Sequence, residues 1–348
     1  PGRGAGAAAR PRPPPPAPGP PRAPAPPRTA RGPAAGARPA GGCTAPTGSG
    51  PGGGPAAAPA RVHRAPSAPW VHRPASAAGL HRPALMGDRV TVGVFGAAGR
   101  MGATVCRAVA DDPDLDLVAA VDPGAAGRPL REVAGVDLGL EVAGRAEHLE
   151  RPPSVMVDFT HLEAARHNLA WCAEQGVHAV VGTTGFTDDD LASFRAVFTR
   201  SNCLIAPNFA IGAILMMRFA ELAAPYFETA EVIEYHHDAK LDSPSGTAMR
   251  TVERMAAANA PGAPDPPVPP TVPGARGAEP VPGIRVHAVR MRGMVAHQEV
   301  LLGTTGQTLQ IRHDSYDRTS FMPGVVLACK RIADHAGVTI GLDPLIDL

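Results

Sequence analysis

A short segment in the second half of the chain combines side chains that transfer protons with groups that bind anions. It places His236, His237 and Lys240 at positions i, i+1 and i+4, and it continues into a Ser-Gly-Thr turn at 245–247 before a predicted helix. Histidine changes its charge near neutral pH, and the pKa of a lysine shifts readily with its surroundings. Backbone N–H groups at a helix N-terminus bind anions. The segment therefore predicts a site that holds carboxylates and moves a proton; the alternative is that the histidines are ordinary surface residues.

The composition of the chain changes near Met86. Residues 1–85 are almost entirely Pro, Ala, Gly and Arg, and they contain 11 of the 33 basic residues and none of the 32 acidic ones. Such a segment cannot bury enough apolar surface to offset its ordering entropy, so we predict a disordered low-complexity extension. The other residues carry 22 basic and 32 acidic side chains, a formal charge of −10. This acidic balance argues against nucleic-acid and membrane-surface binding.

The bias of residues 1–85 is also the bias that translation of GC-rich DNA produces. We therefore expect this extension to be dispensable and not to belong to the natural protein. A transit peptide is the alternative, since such peptides are rich in Arg and poor in acidic residues, but they are usually Ser-rich and amphipathic as well.

Cysteine usage and hydropathy exclude several classes of protein. The five cysteines show no CxxC spacing, which argues against a disulfide framework and a structural zinc site. We predict no metal. No apolar run is long enough for a membrane span, and residues 1–85 lack the apolar core of a secretory signal. A cytoplasmic enzyme of two domains is expected from the roughly 260 remaining residues.

A glycine-rich loop lies between a predicted strand at 90–95 and a predicted helix at 101–110. In this GxxGxxG pattern, Gly96 permits a tight turn, Gly99 lets the backbone approach a pyrophosphate, and Gly102 permits close packing of helix and strand. The strand–loop–helix context predicts a dinucleotide site. A glycine turn without a ligand is the alternative.

An acidic residue follows the next predicted strand, at 117–121. Asp122 lies twenty residues beyond Gly102, where a carboxylate would accept hydrogen bonds from ribose hydroxyls. Arg100, inside the loop, could contact a 2′-phosphate instead. These two residues therefore bear on the choice between NADH and NADPH.

Alternating strands and helices continue after the loop, which is typical of a parallel α/β sheet covered by helices on both faces. The next predicted strands are 155–159, 178–181 and 203–206, and the next predicted helices are 161–174 and one capped by Thr187. Two polar turns, 182–185 and 206–209, follow the last two strands. Because open α/β sheets bind ligands at the carboxyl ends of their strands, we expect these turns to line a nicotinamide pocket; ordinary strand-to-helix turns are the alternative.

The pattern changes after Asn208 to that of an α+β domain with an antiparallel or mixed sheet. The predicted elements are a helix at 211–227, a strand at 231–235, a helix after Thr247, a loop at 261–283, and strands at 285–291, 295–303 and 308–313. A final helix at 320–336 and residues 344–348 should return to the first domain. We therefore predict one domain from 86–209 and 318–348, and a second from 210–317.

Together, the segments 92–102, 180–185, 206–209 and 234–247 resemble the 4-hydroxy-tetrahydrodipicolinate reductase family, also called dihydrodipicolinate reductases. The likeness runs from about residue 90 to the C-terminus. It implies reduction of 4-hydroxy-tetrahydrodipicolinate to tetrahydrodipicolinate by NADH or NADPH, in the diaminopimelate route to lysine. It also implies a Rossmann-type cofactor domain, a substrate domain that forms homotetramers through its sheet, and hinge closure between the two.

The resemblance also implies roles for individual residues. His236 would donate or accept a proton, Lys240 would be a second proton donor, and His237 would contact the dicarboxylate substrate. Carboxylate binding would fall to Ser245, Gly246 and Thr247. Cofactor binding would fall to Gly96, Ala97, Ala98, Gly99, Arg100, Met101, Asp122, Gly182, Thr183, Thr184, Ala206, Pro207, Asn208 and Phe209.

One departure from the family pattern concerns the cofactor. Many members follow the acidic residue with an arginine that grips the NADPH phosphate, but here Pro123 follows Asp122. We therefore expect NADH to serve at least as well as NADPH. Two other functions stay open: another Rossmann dehydrogenase that acts on a small carboxylated substrate, and a nonenzymatic NAD(P)-sensing protein.

Overall fold

The structure is a computed structural model, and it describes residues 89–258 and 270–346. The predictions made for residues 1–85 lie outside these ranges. Within them the strands are β1 (Val90–Phe95), β2 (Leu115–Val121), β3 (Val155–Asp158), β4 (His178–Val181), β5 (Cys203–Ile205), β6 (Thr229–His236), β7 (Ala278–Val281), β8 (Ile284–Arg290), β9 (Ala296–Thr304), β10 (Gln307–Ser315) and β11 (Val338–Ile340). The α-helices are α1 (Arg100–Asp111), α2 (Leu130–Ala134), α3 (Leu162–Gln175), α4 (Asp188–Val197), α5 (Ile211–Ala223), α6 (Gly246–Ala257) and α7 (Met322–Arg331).

The first sheet is wholly parallel, as the alternation of strands and helices predicts. Its order is β11-β5-β4-β3-β1-β2, which is the arrangement of a Rossmann-type domain. The strands are short apolar runs; β3 and β5, for example, are buried at every residue. Since parallel strands all end at the same edge, the glycine loop and the turns after β2, β3, β4 and β5 meet there.

The second sheet is mixed, with the order β10-β9-β6-β8-β7. The pairing of β6 with β8 is parallel, whereas the others are antiparallel. Along β6, buried and partly exposed residues alternate, so that Ala230, Val232 and Glu234 face a core shared with α5 and α6. The strand then delivers His236 at its carboxyl end.

Three predicted elements differ from the structure at prolines. The helix predicted at 211–227 ends at Ala223 and continues as a 3-10 turn that contains Pro225, because proline has no N–H to donate and clashes with the preceding turn. The helix predicted at 320–336 begins as an α-helix only at Met322, with Pro323 in its first turn, and its last residues form another 3-10 turn.

The third difference lies in the segment predicted as a loop at 261–283, where residues 278–281 form β7. This strand contains Pro280, and proline is tolerated in a strand at the edge of a sheet, where no partner needs its N–H. Residues 261–269 of the predicted loop lie outside the described residues.

Two further elements are short and contain no continuous buried apolar run, and they were not predicted. Helix α2 has five residues, and β11 has three residues between Gly337 and Gly341. Strand β11 adds to the first sheet beside β5. No helix in the described ranges has the length and apolar character needed to span a bilayer.

Candidate active site

The glycine loop after β1 has the geometry that a bound pyrophosphate requires. Gly96 has a φ of 68°, in the left-handed region that glycine adopts at little cost. A Cβ at residue 102 would lie 2.0 Å from the carbonyl oxygen of Gly96, so only glycine lets α1 approach the loop this closely. No side chain caps α1 at Gly99, and its first turn contains no acidic residue. The N–H groups at this helix end are therefore available to an anion.

A cavity of about 600 Å³ adjoins the loop. It is lined by Gly96, Gly99 and Asp122 of the predicted set, and its size is within the range of cofactor sites. The Asp122 carboxylate accepts hydrogen bonds from the backbone N–H of Ala98 (3.0 Å) and of Gly124 (2.9 Å). Each of its oxygens keeps a further lone pair for a ribose hydroxyl.

The other residues of the glycine loop that were predicted to bind the cofactor do not line this cavity. Ala97 is buried, Ala98 and Arg100 are exposed, and Met101 is partly buried within α1. Conversely, the cavity is lined by Arg145, His161 and Trp171, to which no role was assigned from the sequence. His161 has a structural role as well, since its Nδ1 accepts a hydrogen bond from Ala164 N at the start of α3.

A buried carboxylate organises the turns after β3 and β4. Asp158 is 1% exposed and accepts hydrogen bonds from Thr160 (N, 2.9 Å; Oγ1, 2.8 Å), from Asn168 Nδ2 (2.7 Å) and from Thr183 Oγ1 (2.9 Å). The hydroxyl of Thr183 thus donates its hydrogen bond to Asp158 rather than to a cofactor. A Cβ at Gly182 would lie 2.0 Å from the ring of Phe159, so this glycine is required for packing.

A second cleft, of about 520 Å³, contains the residues singled out for chemistry. It is lined by Thr184, Pro207, Asn208, His236, Lys240, Ser245, Gly246 and Thr247 of the predicted set. A smaller cavity of about 190 Å³ shares His236, Ser245 and Thr247 with it. The turns of the first sheet and the segment after β6 therefore meet at one cleft. Ala206 and Phe209 flank it with buried side chains.

Glu234 lies fully buried two residues before His236, on the same face of β6. Its carboxylate bonds to His236 Nδ1 (2.5 Å), to the backbone N–H of Ser245 (3.0 Å), and to Arg290 Nη1 (2.7 Å) and Nη2 (2.8 Å). Burial alone would raise the pKa of Glu234, but the hydrogen bonds from His236, Arg290 and Ser245 outweigh it and lower the pKa to about 2. Glu234 is therefore an anion at neutral pH. No role was assigned to Glu234 or Arg290 from the sequence.

The N-terminus of α6 is the second part of this cleft. Ser245 caps the helix, with its Oγ accepting from Ala248 N at 3.2 Å. Lys240 is partly buried and pairs with Asp242 Oδ1 at 2.7 Å, and this hydrogen bond lowers the pKa of Asp242. His237 is exposed and lines neither cleft, so its predicted contact with the substrate stays a prediction.

Gln298 and Arg250 are among the residues that line the clefts without having been predicted. Gln298 is 5% exposed and lines the smaller cavity; its Nε2 donates to Thr251 Oγ1 at 2.7 Å, while its Oε1 has no partner among the described residues. Arg250, one turn into α6, lines the larger cleft. No group of three or more His, Cys, Asp or Glu side chains in the described ranges is arranged to hold a metal ion.

Comparison with known families accounts for nearly all of the described chain. Residues 90–209 match the family model of the dihydrodipicolinate reductase N-terminus, and residues 212–346 match that of the C-terminus. The chain belongs to the dihydrodipicolinate reductase family. The resemblance inferred from the four segments is thereby confirmed.

Several family members are similar over almost their whole length. The 4-hydroxy-tetrahydrodipicolinate reductase of Nocardia farcinica is 49% identical over 265 residues, which are 74% of this chain and 99% of the relative. That of Mycobacterium marinum is 50% identical over 263 residues, with the same coverage. Both stretches leave about a quarter of this chain unmatched.

Solved structures support the fold of this dihydrodipicolinate reductase family member. The dipicolinate-bound dihydrodipicolinate reductase from Paenisporosarcina sp. TG-14 is 38% identical, with a TM-score of 0.67, and covers 74% of this chain and 100% of that one. An amine dehydrogenase from Mycobacterium smegmatis has a TM-score of 0.54 at 16% identity, over 74% of this chain and 96% of that one, and shares the fold alone.

We expect Gly102→Ala to weaken NADH binding by at least about tenfold, roughly 1.4 kcal/mol. The added Cβ would lie 2.0 Å from a backbone oxygen of the glycine loop, so the loop must move. A fluorescence titration with NADH measures the effect. Gly246→Ala is the matched control, because a Cβ there meets nothing within 4 Å. Unchanged NADH affinity in Gly102→Ala would contradict the loop's assignment.

Proposed function

We propose that this chain reduces 4-hydroxy-tetrahydrodipicolinate to tetrahydrodipicolinate with NADH or NADPH, in the diaminopimelate route to lysine. The observation that carries the proposal is the cleft in which His236, Lys240 and the N-terminus of α6 lie beside the strand ends of the first sheet. A proton donor and a binding site for carboxylates are thus next to a dinucleotide fold. The family of the chain favours the same reaction.

The residues of the first sheet fit a dinucleotide. The uncapped N-terminus of α1 and the close approach at Gly102 suit a pyrophosphate, and Asp122 suits a ribose. Thr184, Pro207 and Asn208 line the cleft that also contains His236, where the nicotinamide would be needed. When bound, the cofactor supplies the hydride.

The protein itself would donate a proton to the substrate and neutralise the charge of the substrate's carboxylates. Addition of a hydride leaves an electron pair on the cyclic substrate, and a nearby acid must protonate it. His236 and Lys240 can act as that acid. General acids contribute roughly 10²–10⁴-fold in rate. Lys240 and the N–H groups at the start of α6 would also bind the two carboxylates of the substrate. Closure of the cleft would exclude water and align the reactants.

The experiment that tests this function is a coupled assay with both cofactors. NADH oxidation should occur when the product of the upstream synthase is supplied, and not with small semialdehydes or sugars. A different Rossmann dehydrogenase would oxidise NADH with one of those substrates instead. A nonenzymatic sensor would bind NADH and oxidise none of it.

We expect His236→Ala and Lys240→Ala each to reduce kcat about 100-fold or more, within the range of general acids, while the Kd for NADH changes little. Both residues lie in the second cleft, away from the glycine loop. Lys240→Arg should also be damaging, since a planar guanidinium does not replace a compact ammonium. Steady-state kinetics and NADH titrations separate the two effects.

The matched control is Lys330→Ala, which removes the other lysine of the chain. Lys330 pairs with Asp112 (2.8 Å) and Asp114 (2.7 Å) and lines neither cleft. Its loss should leave kcat unchanged. Near-normal turnover in both His236→Ala and Lys240→Ala would rule out their catalytic assignment.

We expect the enzyme to use both cofactors, with NADH at least equal to NADPH. The Asp122 carboxylate accepts from ribose hydroxyls and repels a 2′-phosphate, Pro123 supplies no positive charge, and Arg100 gives partial tolerance of NADPH. Asp122→Asn should shift the ratio of kcat/KM values toward NADPH. Asp116→Asn, on the strand that precedes Asp122 and paired with Arg89 at 3.0 Å, should not shift it. A wild-type ratio that favours NADPH by more than about tenfold, roughly 1.4 kcal/mol, would contradict the expectation.

We also propose a cytoplasmic homotetramer, in which domains 86–209 with 318–348 and 210–317 bind cofactor and substrate respectively. Support for assembly through the second sheet comes from the face of β6 opposite α5 and α6. There Tyr235 lies under the guanidinium of Arg312 at 5.6 Å, and Arg312 pairs with Glu299 at 3.0 Å. Tyr235 is partly exposed and Arg312 is exposed on this face, where a second copy would contact them. Sedimentation equilibrium measures the assembly.

A further inference from the structure

Glu234 connects three parts of the substrate cleft through one carboxylate. It bonds to the ring of His236, to the backbone of Ser245 at the start of α6, and to Arg290 of the neighbouring strand β8. His236 and Arg290 lie directly opposite each other in the parallel pairing of β6 with β8. The side chain of Glu234 is completely inaccessible to water, and those of His236 and Arg290 are 15% and 17% exposed.

Arg290 extends this connection to the segment that carries Lys240. Besides its two bonds to Glu234, its Nη2 donates to the backbone oxygen of Asp242 at 2.6 Å. Asp242 is in turn the ion-pair partner of Lys240. The planar guanidinium of arginine suits this position, because its N–H groups can donate hydrogen bonds to both carboxylate oxygens and to a carbonyl at once.

The charge of Glu234 decides which ring nitrogen of His236 carries a proton. An ionised carboxylate can only accept hydrogen bonds, so the nitrogen that faces it must be the donor. Nδ1 is the atom in contact with Glu234, and it therefore holds its proton in the neutral as well as the charged ring. Nε2 is then the only ring nitrogen free to gain and lose a proton, and His236 lines both cavities of the cleft.

We propose that Glu234 and Arg290 form a buried positioning pair, which holds His236 with its Nδ1–H toward Glu234 and so makes Nε2 the atom that exchanges a proton with the substrate. In the step, the Nε2–H bond breaks, its electron pair stays on Nε2, and the proton goes to the substrate atom that has gained electrons from the hydride. The ring is left neutral and still bonded to Glu234 through Nδ1–H. The catalytic meaning of the pair rests on the proposed reductase function.

Nuclear magnetic resonance determines the tautomer of His236 directly. In protein labelled with ¹⁵N-histidine, two-bond ¹H–¹⁵N correlation spectra distinguish a ring protonated on Nδ1 from one protonated on Nε2, and His236→Gln assigns the signals of His236. We expect the neutral ring of wild-type His236 to be protonated on Nδ1. A neutral ring protonated on Nε2 would overturn the proposal, and the tautomer itself is measured in the wild-type protein.

Glu234→Gln tests the consequence for catalysis. Glutamine has nearly the same shape, but it cannot accept hydrogen bonds at both positions that Arg290 occupies, and its amide no longer dictates the tautomer. We expect kcat to fall about 100-fold and the Kd for NADH to stay within about twofold, with mixed tautomers for His236. Arg290→Lys keeps the charge but loses the second hydrogen bond to Glu234, so its kcat should fall by a smaller factor. Unchanged kcat in Glu234→Gln would contradict the proposal.

Glu231→Gln is the matched control. Glu231 lies on the same strand, and it also pairs with a histidine (His287, 2.5 Å) and an arginine (Arg276, 3.0 Å), but on the face of the sheet away from the cleft. Its kcat should stay within about twofold of wild type. A similar loss of kcat in both variants would show a merely structural effect and overturn the proposal.

The two hypotheses fail in different ways. The spectra need no substrate, so His236 can show the expected tautomer even if no tetrahydrodipicolinate is formed in the coupled assay. In that case the reductase function is wrong and the positioning pair stands. Turnover by a wild-type enzyme whose neutral His236 ring is protonated on Nε2 would support the reductase function and overturn the positioning pair.

Discussion

The substrate cleft depends on how the charge of Glu234 is compensated. A carboxylate with no access to water is stable only when several donors surround it, because the energy lost by leaving water must be recovered inside the protein. Here the donors come from the end of β6, the cap of α6 and the neighbouring strand β8. Satisfying one buried charge therefore fixes three elements relative to one another. The orientation of the His236 ring follows from the same contacts.

The first sheet uses the same arrangement. Asp158, at the carboxyl end of β3, is surrounded by donors from its own following turn, from α3 and from the turn after β4. It joins the turns after β3 and β4 much as Glu234 joins β6, α6 and β8. In both cases the carboxylate lies where a strand ends, since that is where backbone and side-chain donors of the following turn converge. Removal of either carboxylate would leave several buried donors unpaired.

Elements with a strong local pattern could be predicted from the sequence. The apolar runs that form β1, β3, β4 and β5 and the periodic segments that form α1 and α3 all occur within two residues of their predicted bounds. Patterns of this kind depend on neighbouring residues only. In contrast, β11 and β7 are exposed or only partly buried, so they contain no buried apolar run that the sequence could show. They exist because a sheet edge is available beside β5 and β8.

The sequence alone was enough to predict the family and a candidate site, because a glycine loop after a buried strand and the spacing of His236, Lys240 and the Ser-Gly-Thr turn are local features. Strand alternation even places Glu234 on the same face as His236, two residues apart. Only the tertiary structure decided what Glu234 does. Arg290 lies 56 residues further along the chain, and it reaches Glu234 because β6 and β8 pair in parallel with His236 opposite Arg290. No local pattern contains that register, since it results from the packing of the whole second sheet.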